Sequence, residues 1–348
     1  MSARKKLLAE AAKRILITDG AFGTEIQNWK LAEAAYAGSL GLSHDQKGNN
    51  DILAVTMPEV PETITRAYLD AGSDIVSTNT FSANSISQAD YGAESLVREI
   101  NLESAKIARR LADEYAARDG RPRFVAGAIG PTNKTLSLSP DVNDPGFREI
   151  DFDYLTGVYR EQIDALLEGG ADFILIETVF DTLNAKAGIM AAIEAGAALG
   201  RDVPIMLSMT LTDLSGRNLS GHTVEAFWHA VRHARPVTIG LNCSFGAEQL
   251  RPHVKTLADI ADTLIMVYPN AGLPNELGAY DEAPETTAGL VGEWAGAGQV
   301  NILGGCCGST PAHIKAIADG VRGLKPRALP QPPVLTRLAG LEPMTMAA

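Results

Sequence analysis

The feature of this sequence that most restricts its fold is the regular alternation of short apolar segments with longer amphipathic ones. Eight short segments are rich in β-branched and apolar residues, as expected of strands buried on both faces of a parallel sheet. The predicted strands are 14–18, 74–79, 124–129, 172–177, 204–209, 237–242, 263–268 and 300–304. Eight strand–helix units of one composition predict an α/β fold, a single (β/α)8 TIM-type barrel.

The segments between the strands have the pattern of helices. In 96–118, apolar residues recur every three or four positions, which places them on one face of a helix. A second helix is predicted over 61–71 and ends before Gly72, a suitable C-terminal cap. In the last unit, Thr310 is the predicted N-cap and Pro311 the first helical residue.

Two irregular segments and the C-terminal residues depart from this pattern. Segments 28–56 and 130–150 are predicted to form extended loops at the C-terminal face of the strands. The barrel is predicted to occupy residues 1–325. Residues 326–348 are rich in proline near their start and have the composition of a linker-like tail.

The composition excludes several classes of protein. Of the 348 residues, 45% are hydrophobic, which gives enough apolar surface for a large core and argues against disorder. There are 30 Lys and Arg against 42 Asp and Glu, a formal net charge of −12, and such a charge repels nucleic acid and anionic lipid. No apolar run reaches the length of a membrane span, and the start lacks a signal-peptide pattern. We therefore expect a cytoplasmic protein with no nucleic-acid or membrane partner.

Polar residues stand at the ends of the predicted strands, where barrel enzymes carry their chemistry. They are Asp19, Asn79, Thr132, Asn133, Glu177, Thr210, Asn242, Cys243, Asn270, Cys306 and Cys307. All three cysteines of the chain belong to this set.

The three cysteines are predicted to meet at the mouth of the barrel. Cys243 ends the sixth strand, and Cys306 and Cys307 follow the eighth, two positions away around a closed barrel. Three thiols in one place suggest a zinc site with a fourth position left open, and the glycines beside the pair would give it backbone freedom. Two other interpretations remain open, small buried residues or a vicinal disulfide.

Three thiolates would make zinc a poor Lewis acid, because the formal charge of the complex is already negative. Hydrolysis is therefore disfavoured. Such a site is suited to holding a fourth sulfur as a thiolate, since a free thiol is mostly protonated at neutral pH. The predicted chemistry is alkyl transfer to a thiol.

The carboxylates and histidines allow more than one interpretation. Asp19 and Glu177 could bind a substrate ammonium group, act as structural hydrogen-bond acceptors or helix caps, or work as an acid and base. The histidines His222, His229 and His233 share one amphipathic segment, and a solvated helix face is predicted for them.

Nine segments together resemble the homocysteine-binding zinc module of cobalamin-dependent methionine synthase, and the likeness covers residues 14–325. They are DGAFGTEIQ, KGNNDIL, STNTFSAN, GAIGPTNKTLSLSPDVNDPGFR, ILIETVFDTLNAKA, LSGHTVEAFWHA, GLNCSFGAEQLRP, YPNAGLPNELGAYD and NILGGCCGSTPAHI. The resemblance implies a zinc-dependent homocysteine S-methyltransferase. It also implies a role for each matching residue.

By this resemblance, Cys243, Cys306 and Cys307 are zinc ligands, through which they take part in catalysis, and the homocysteine sulfur is the fourth ligand. Asp19 and Glu177 would hold the ammonium group of homocysteine. The turn at Ala21 would offer backbone amides to its carboxylate, and Asn79 and Asn242 would also contact substrate. Asn270 would be a weak oxygen ligand that zinc uses before substrate arrives.

The chain lacks the folate, cobalamin and reactivation modules of the full-length enzyme. The expectation is a subunit of a split methionine synthase, with methylcobalamin supplied by a cobalamin- and folate-binding partner subunit. Homocysteine would bind zinc as a thiolate with release of a proton, and its sulfur would attack the methyl group of methylcobalamin to give methionine and cob(I)alamin. The alternatives are a self-contained methyltransferase that uses betaine or S-methylmethionine, and a non-catalytic protein that binds zinc or homocysteine.

Overall fold

The computed structural model describes residues 2–346 and places eight parallel strands in one sheet. The strands are β1 (Leu16–Ile17), β2 (Ile75–Ser77), β3 (Phe124–Ile129), β4 (Phe173–Val179), β5 (Ile205–Met209), β6 (Thr238–Gly246), β7 (Leu264–Asn270) and β8 (Ile302–Leu303). Neighbours pair in the order β1-β8-β7-β6-β5-β4-β3-β2. A single bridge between Thr18 and Ile75 brings the two edges together. The predicted barrel is confirmed, and each of its strands overlaps a predicted one.

Helices surround the sheet and follow the strands in alternation. They are α1 (Ala3–Ala11), α2 (Phe22–Asn28), α3 (Glu33–Ala37), α4 (Leu53–Thr56), α5 (Glu59–Ala71), α6 (Ser85–Gln88), α7 (Val97–Asp119), α8 (Phe152–Glu168), α9 (Thr182–Leu199), α10 (Val224–Val231), α11 (Ala247–Ile260), α12 (Pro284–Gly296) and α13 (Pro311–Gly320). The predicted end at Gly72 is confirmed, with φ of 112°. The capping box at Thr310 is formed with His313. Within residues 2–346, no helix is both long and apolar enough to cross a membrane.

Two apolar clusters hold the barrel together. The larger lies between the strands and the surrounding helices. The smaller fills the barrel interior and includes Phe124, Phe173 and Met206, with Leu7 of α1 closing its lower end. Because parallel strands alternate their side chains between these two clusters, they are apolar on both faces. Gly240 has no room for a side chain, since a Cβ there would lie 1.5 Å from the Met266 carbonyl oxygen.

The two irregular segments lie at the C-terminal ends of the strands, as expected. Segment 28–56 contains the short helices α3 and α4 and a 3-10 turn at Asn50–Ile52. Segment 130–150 has neither helix nor strand and is held by side-chain bonds such as Arg148 to the Leu136 carbonyl, at 2.7 Å. Long loops at this end leave the site surrounded by irregular backbone.

Residues 326–346 cross the opposite end of the barrel and then run along α10. The guanidinium of Arg327 is buried and donates to the carbonyls of Ala258, Ala261 and Thr263. Two short strands, β9 (Thr336–Ala339) and β10 (Pro343–Met346), form an antiparallel hairpin that packs on α10. The division of the chain at residue 325 into a barrel and a linker-like tail stays a prediction.

Candidate active site

The three cysteines lie together at the mouth of the barrel. Cys243 is in the last part of β6, and Cys306 and Cys307 follow β8. Their sulfur atoms all lie within 4.8 Å of one another, and Cys243 Sγ and Cys307 Sγ are 3.8 Å apart. All three are free thiols and are partly exposed. The predicted convergence of the cysteines is therefore seen in the structure.

An irregularity in β6 directs Cys243 toward the other two cysteines. Between Asn242 and Gly246, β6 advances four residues while its partner β7 advances two. Cys243 and Ser244 take up the extra length with φ values of 62° and 60°. Residues other than glycine rarely adopt this left-handed conformation, which costs about 1–3 kcal/mol and is found mainly at functional sites.

The glycines around Cys306 and Cys307 serve mainly to leave space. A Cβ at Gly304 would lie 2.3 Å from the Thr18 side chain, and one at Gly305 would lie 2.4 Å from the Ser309 side chain. Only Gly308 has a positive φ, of 79°. The expected backbone freedom is thus needed at one of these glycines, and close packing explains the other two.

The donor set fits a zinc ion. Sulfur ligands about 2.3 Å from a tetrahedral zinc are separated by about 3.8 Å, which is the distance between Cys243 and Cys307. Asn270 lies beside them at the end of β7, and its side-chain Oδ1 is buried without a hydrogen-bond partner among residues 2–346. A buried carbonyl oxygen without a partner is costly, so a cation at this point would satisfy it.

The thiols also perturb one another. Hydrogen bonds from the thiols of Cys306 and Cys307 lower the pKa of Cys243. The same hydrogen bonds raise the pKa of Cys306 and of Cys307, because each of these thiols donates its proton toward the Cys243 thiolate. The cluster therefore holds one negative charge easily and resists a second and a third, which a divalent cation would offset.

Asn242 ties the cysteine strand to the neighbouring part of the mouth. Its Oδ1 accepts from the Thr178 amide at 3.1 Å and from Ser208 Oγ at 2.6 Å, and its Nδ2 donates to Thr178 Oγ1 at 2.8 Å. The same Nδ2 lies 3.8 Å from Cys306 Sγ. Since its hydrogen bonds are made within the protein, Asn242 positions other residues of the site.

Glu177 precedes a second irregularity, in β4. Between Ile176 and Val179, β4 advances three residues while β5 advances two, and Thr178 has φ of 55°. The Glu177 carboxylate accepts from the Tyr268 hydroxyl at 3.0 Å. Burial raises the pKa of Glu177 to about 8, helped by the nearby charges of Asp19 and Cys243. A cation placed here would lower that pKa again.

Asp19 is buried after β1 and lies close enough to Glu177 to affect its pKa. Its Oδ2 accepts from the Ser77 amide at 2.6 Å and the Ser77 hydroxyl at 2.8 Å. Burial raises the pKa of Asp19 to about 6 in spite of these bonds. The structure therefore gives Asp19 structural hydrogen bonds and also an uncompensated buried charge.

The other predicted contacts lie farther around the mouth. Asn79 Nδ2 donates to the Asn50 carbonyl at 2.8 Å. The Ala21 amide is 3.4 Å from Ser309 Oγ, a long bond that leaves it available to an anion. Neither residue contacts the cysteines among the hydrogen bonds of the structure, so their predicted contacts with substrate stay predictions.

Comparison with known families decides what this site belongs to. The family model for homocysteine S-methyltransferase matches residues 16–321, which is most of the chain. The chain belongs to the homocysteine S-methyltransferase family. The matched range contains all eight strands, the three cysteines and both carboxylates at the mouth. The methyltransferase and homocysteine parts of the sequence-based expectation are thereby supported at family level.

Solved structures show the same barrel as this homocysteine S-methyltransferase family member. The homocysteine methyltransferase MmuM from Escherichia coli, in its metallated form, is 24% identical with a TM-score of 0.70, over 91% of this chain and 99% of that one. Its oxidized form is 22% identical with a TM-score of 0.71, over 92% and 99% of the two chains. Its apo form is 22% identical with a TM-score of 0.65, over 92% and 100%. At these identities the likeness establishes the fold.

Sequence reasoning missed three residues of this homocysteine S-methyltransferase site. Tyr268 donates a hydrogen bond to Glu177, Asn242 donates one to Thr178, and Tyr280 packs against Gly308, next to Cys307. Tyr268 is the last residue of a predicted strand, and that position could have singled it out. Nothing in the sequence distinguishes Tyr280, which comes from the loop after β7.

Proposed function

We propose that this protein is a zinc-dependent homocysteine S-methyltransferase that forms methionine. The observation that carries the proposal is the convergence of three free thiols within 4.8 Å beside the unpartnered oxygen of Asn270. Cys243, Cys306 and Cys307 would hold the zinc, with Asn270 as a further ligand before substrate binds. Bound zinc would keep the homocysteine sulfur in its nucleophilic thiolate form at neutral pH.

The chain's own residues would position the amino-acid end of homocysteine. Glu177 and Asp19 are buried carboxylates with raised pKa values, and the ammonium group would compensate both charges. The turn at Ala21 would donate backbone hydrogen bonds to the substrate carboxylate, and Asn79 would contact the substrate at the rim. Asn242 links the ends of β4 and β6 through its hydrogen bonds to Thr178, so that the ammonium and sulfur sites would keep a fixed separation.

We propose that the methyl donor is methylcobalamin carried by a cobalamin- and folate-binding partner subunit. Three loops at the mouth expose apolar side chains, with Val142, Leu214 and Leu277 being 94%, 77% and 93% exposed. Such a rim is suited to transient contact with another protein.

The three free cysteines also support a reducing, cytoplasmic location.

A self-contained methyltransferase that uses betaine or S-methylmethionine is the second candidate. It is favoured by the match to MmuM, which covers 99% of that homocysteine methyltransferase chain. A protein that binds zinc or homocysteine without catalysis would show no transfer from any donor.

The test is a methyl-transfer assay on the purified, zinc-analysed chain with homocysteine and each donor in turn. We expect about one zinc per chain, and methionine from methylcobalamin but not from betaine or S-methylmethionine. Removal of zinc by a chelator should abolish the activity, and added zinc should restore it. Efficient turnover with either small donor would replace the donor proposal, and a zinc-free active chain would refute the metal proposal.

A further inference from the structure

A second cavity, separate from the mouth of the barrel where the cysteines lie, is found at the opposite end of the barrel. Its volume is about 830 Å³. Its walls come from α1, from α10 and the turn after it, and from the segment 329–337 that crosses this end of the barrel. None of the residues discussed for methyl transfer lines it. The proposed function therefore leaves this cavity unexplained.

The cavity carries positive charge that the protein does not neutralise. Arg4 pairs with Asp202 and Arg232 pairs with Asp262, at 2.7 and 2.9 Å. Arg235 and Arg337 also line the cavity.

Neither Arg235 nor Arg337 has a carboxylate partner among residues 2–346. The guanidinium of Arg337 donates only to the carbonyls of Leu335 and Pro333. An anion would be attracted to this point.

Two polar side chains lie buried beneath the cavity wall, with nitrogen atoms that neither solvent nor a ligand in the cavity reaches. The His229 side chain is only 2% exposed, and neither ring nitrogen has a hydrogen bond among the described residues. Its nearest carboxylate oxygen, on Glu225, is 3.5 Å away. The indole N–H of Trp228 is likewise buried without an acceptor. The predicted solvated face is thus wrong for His229, because α10 buries that side chain beneath residues 329–337.

We propose that this cavity binds a small phosphate-bearing molecule. Arg235 and Arg337 line the cavity, and a guanidinium can only donate, so the ligand must be rich in acceptors. Arg235 belongs to the turn after α10 and Arg337 to β9, so a bound anion would meet donors from two separate segments. A tetrahedral phosphate accepts hydrogen bonds from several directions, whereas a carboxylate has two oxygens in one plane.

The remaining walls suggest where the rest of the ligand would lie. Leu8, Pro332 and Val334 also line the cavity and give it an apolar side. The volume is far larger than one phosphate needs and suits an organic molecule of moderate size. A nucleoside monophosphate and free phosphate share the anionic group, and they differ in whether this apolar side is used.

The test is isothermal titration calorimetry of the full chain with inorganic phosphate and, separately, with AMP at low ionic strength. We expect one saturable site per chain. Arg337→Gln and Arg235→Gln should each weaken binding roughly tenfold or more, as expected for a lost charge-assisted hydrogen bond. Arg201→Gln is the matched control, because Arg201 is exposed, lies before β5 and is not part of the cavity wall.

All variants should keep the circular dichroism spectrum and the unfolding temperature of the wild type, which shows that they are folded. Tighter binding of AMP than of phosphate would indicate a ligand whose body packs on the apolar side, and equal binding would indicate phosphate itself. Absence of saturable binding for both probes would overturn the proposal. So would binding that is unchanged in Arg337→Gln and Arg235→Gln, or that falls equally in Arg201→Gln. These results do not depend on whether the proposed methyl transfer is correct.

Discussion

Each cysteine sulfur at the mouth faces the other two, so replacing one removes a third of the donor set. We expect Cys307→Ser to reduce bound zinc from about one per chain to well below that, since a serine hydroxyl is a poor zinc ligand at neutral pH. Methyl transfer should fall roughly 100-fold or more. Metal analysis after dialysis, together with the rate of methionine formation, measures both effects.

Thr310→Ala provides the matched control for the cysteine variant. Thr310 caps α13 close to Cys307, and its loss should cost about 1 kcal/mol of stability while zinc is retained. Full zinc content in Cys307→Ser would contradict the assignment of that sulfur as a ligand.

A second prediction concerns the buried carboxylate of Glu177, whose pKa is raised from an ordinary 4.5 to about 8. The folded protein keeps a proton there that the unfolded chain loses above pH 4.5, so this group makes stability fall as pH rises toward 8. Glu177→Gln should therefore gain stability relative to the wild type over that range, by up to about 4 kcal/mol at pH 8. Urea unfolding at pH 5 and pH 8 measures the difference.

The same group should make ligand binding depend on pH. An ammonium group pairs with the ionised carboxylate, so methionine should bind more tightly as pH rises from 6 to 8, by up to about tenfold per unit. Methionine has no thiol to ionise, which isolates the carboxylate. In Glu177→Gln the slope should disappear, whereas Asp213→Asn should keep it because the pKa of that exposed carboxyl is lowered by Ser215. A slope that persists in Glu177→Gln would place the titrating group elsewhere.

At the scale of the strands, the site depends on two irregularities in β4 and β6, the strands on either side of β5. At the mouth, β4 has an extra residue relative to β5, and β6 has two relative to β7. Asn242 of β6 links the two irregular segments by hydrogen bonds to Thr178 of β4. We expect Asn242→Ala to leave the Thr178 amide without an acceptor, at a cost of about 1–3 kcal/mol. It should also lower kcat/KM by about 10–100-fold, because the ammonium and sulfur sites lose their fixed separation.

Asn301→Ala is the control that separates stability from positioning. Asn301 is equally buried, accepts from the Ile265 amide and donates to the Arg327 carbonyl, at the other end of the barrel. Both variants should unfold at lower temperature, but only Asn242→Ala should lose activity at a temperature where both are folded. Equal loss of activity in the two would reduce Asn242 to a structural role.

The strands themselves could be predicted from the sequence, and the irregularities could not. Each predicted strand overlaps an observed one because burial on both faces leaves an apolar run that is visible in the sequence. The cysteines were expected to converge because strand ends of a closed barrel share one face. The added residues in β4 and β6 have no such signal. Thr178, Cys243 and Ser244 have positive φ values, and no glycine stands at these positions to mark that conformation in the sequence.

The hairpin of β9 and β10 also escaped prediction. Its strands are short and largely exposed, so they lack the apolar alternation that marks a strand in a sequence. Its position is set by contacts with α10 and by the buried Arg327 rather than by local preference. Contacts between segments more than 60 residues apart decide this part of the fold.

For the whole molecule, the apolar loops around the mouth predict how the methyl donor is presented. We expect Val142→Asp and Leu277→Asp to reduce transfer about tenfold or more from methylcobalamin held by a cobalamin-binding protein. Transfer from free methylcobalamin should not change, because neither side chain reaches the cysteines. Parallel assays with the two forms of the donor measure this.

Leu199→Asp is the control for the loop variants, since Leu199 is exposed at the end of α9, away from the mouth. It should leave both assays unchanged. If free and protein-bound methylcobalamin lose activity together in Val142→Asp, the loops act on the site itself and the docking surface lies elsewhere.

The positive φ values have a consequence for how this protein can change over evolution. Five non-glycine residues in the described chain have this conformation, and Thr178, Cys243 and Ser244 lie at the mouth while Arg235 lies at the second cavity. Glycine at any of these four positions would relieve the backbone strain, but at Thr178 and Ser244 it would also remove a side-chain hydrogen bond. Retention of residues other than glycine at these positions in a lineage would therefore report that their side chains are in use.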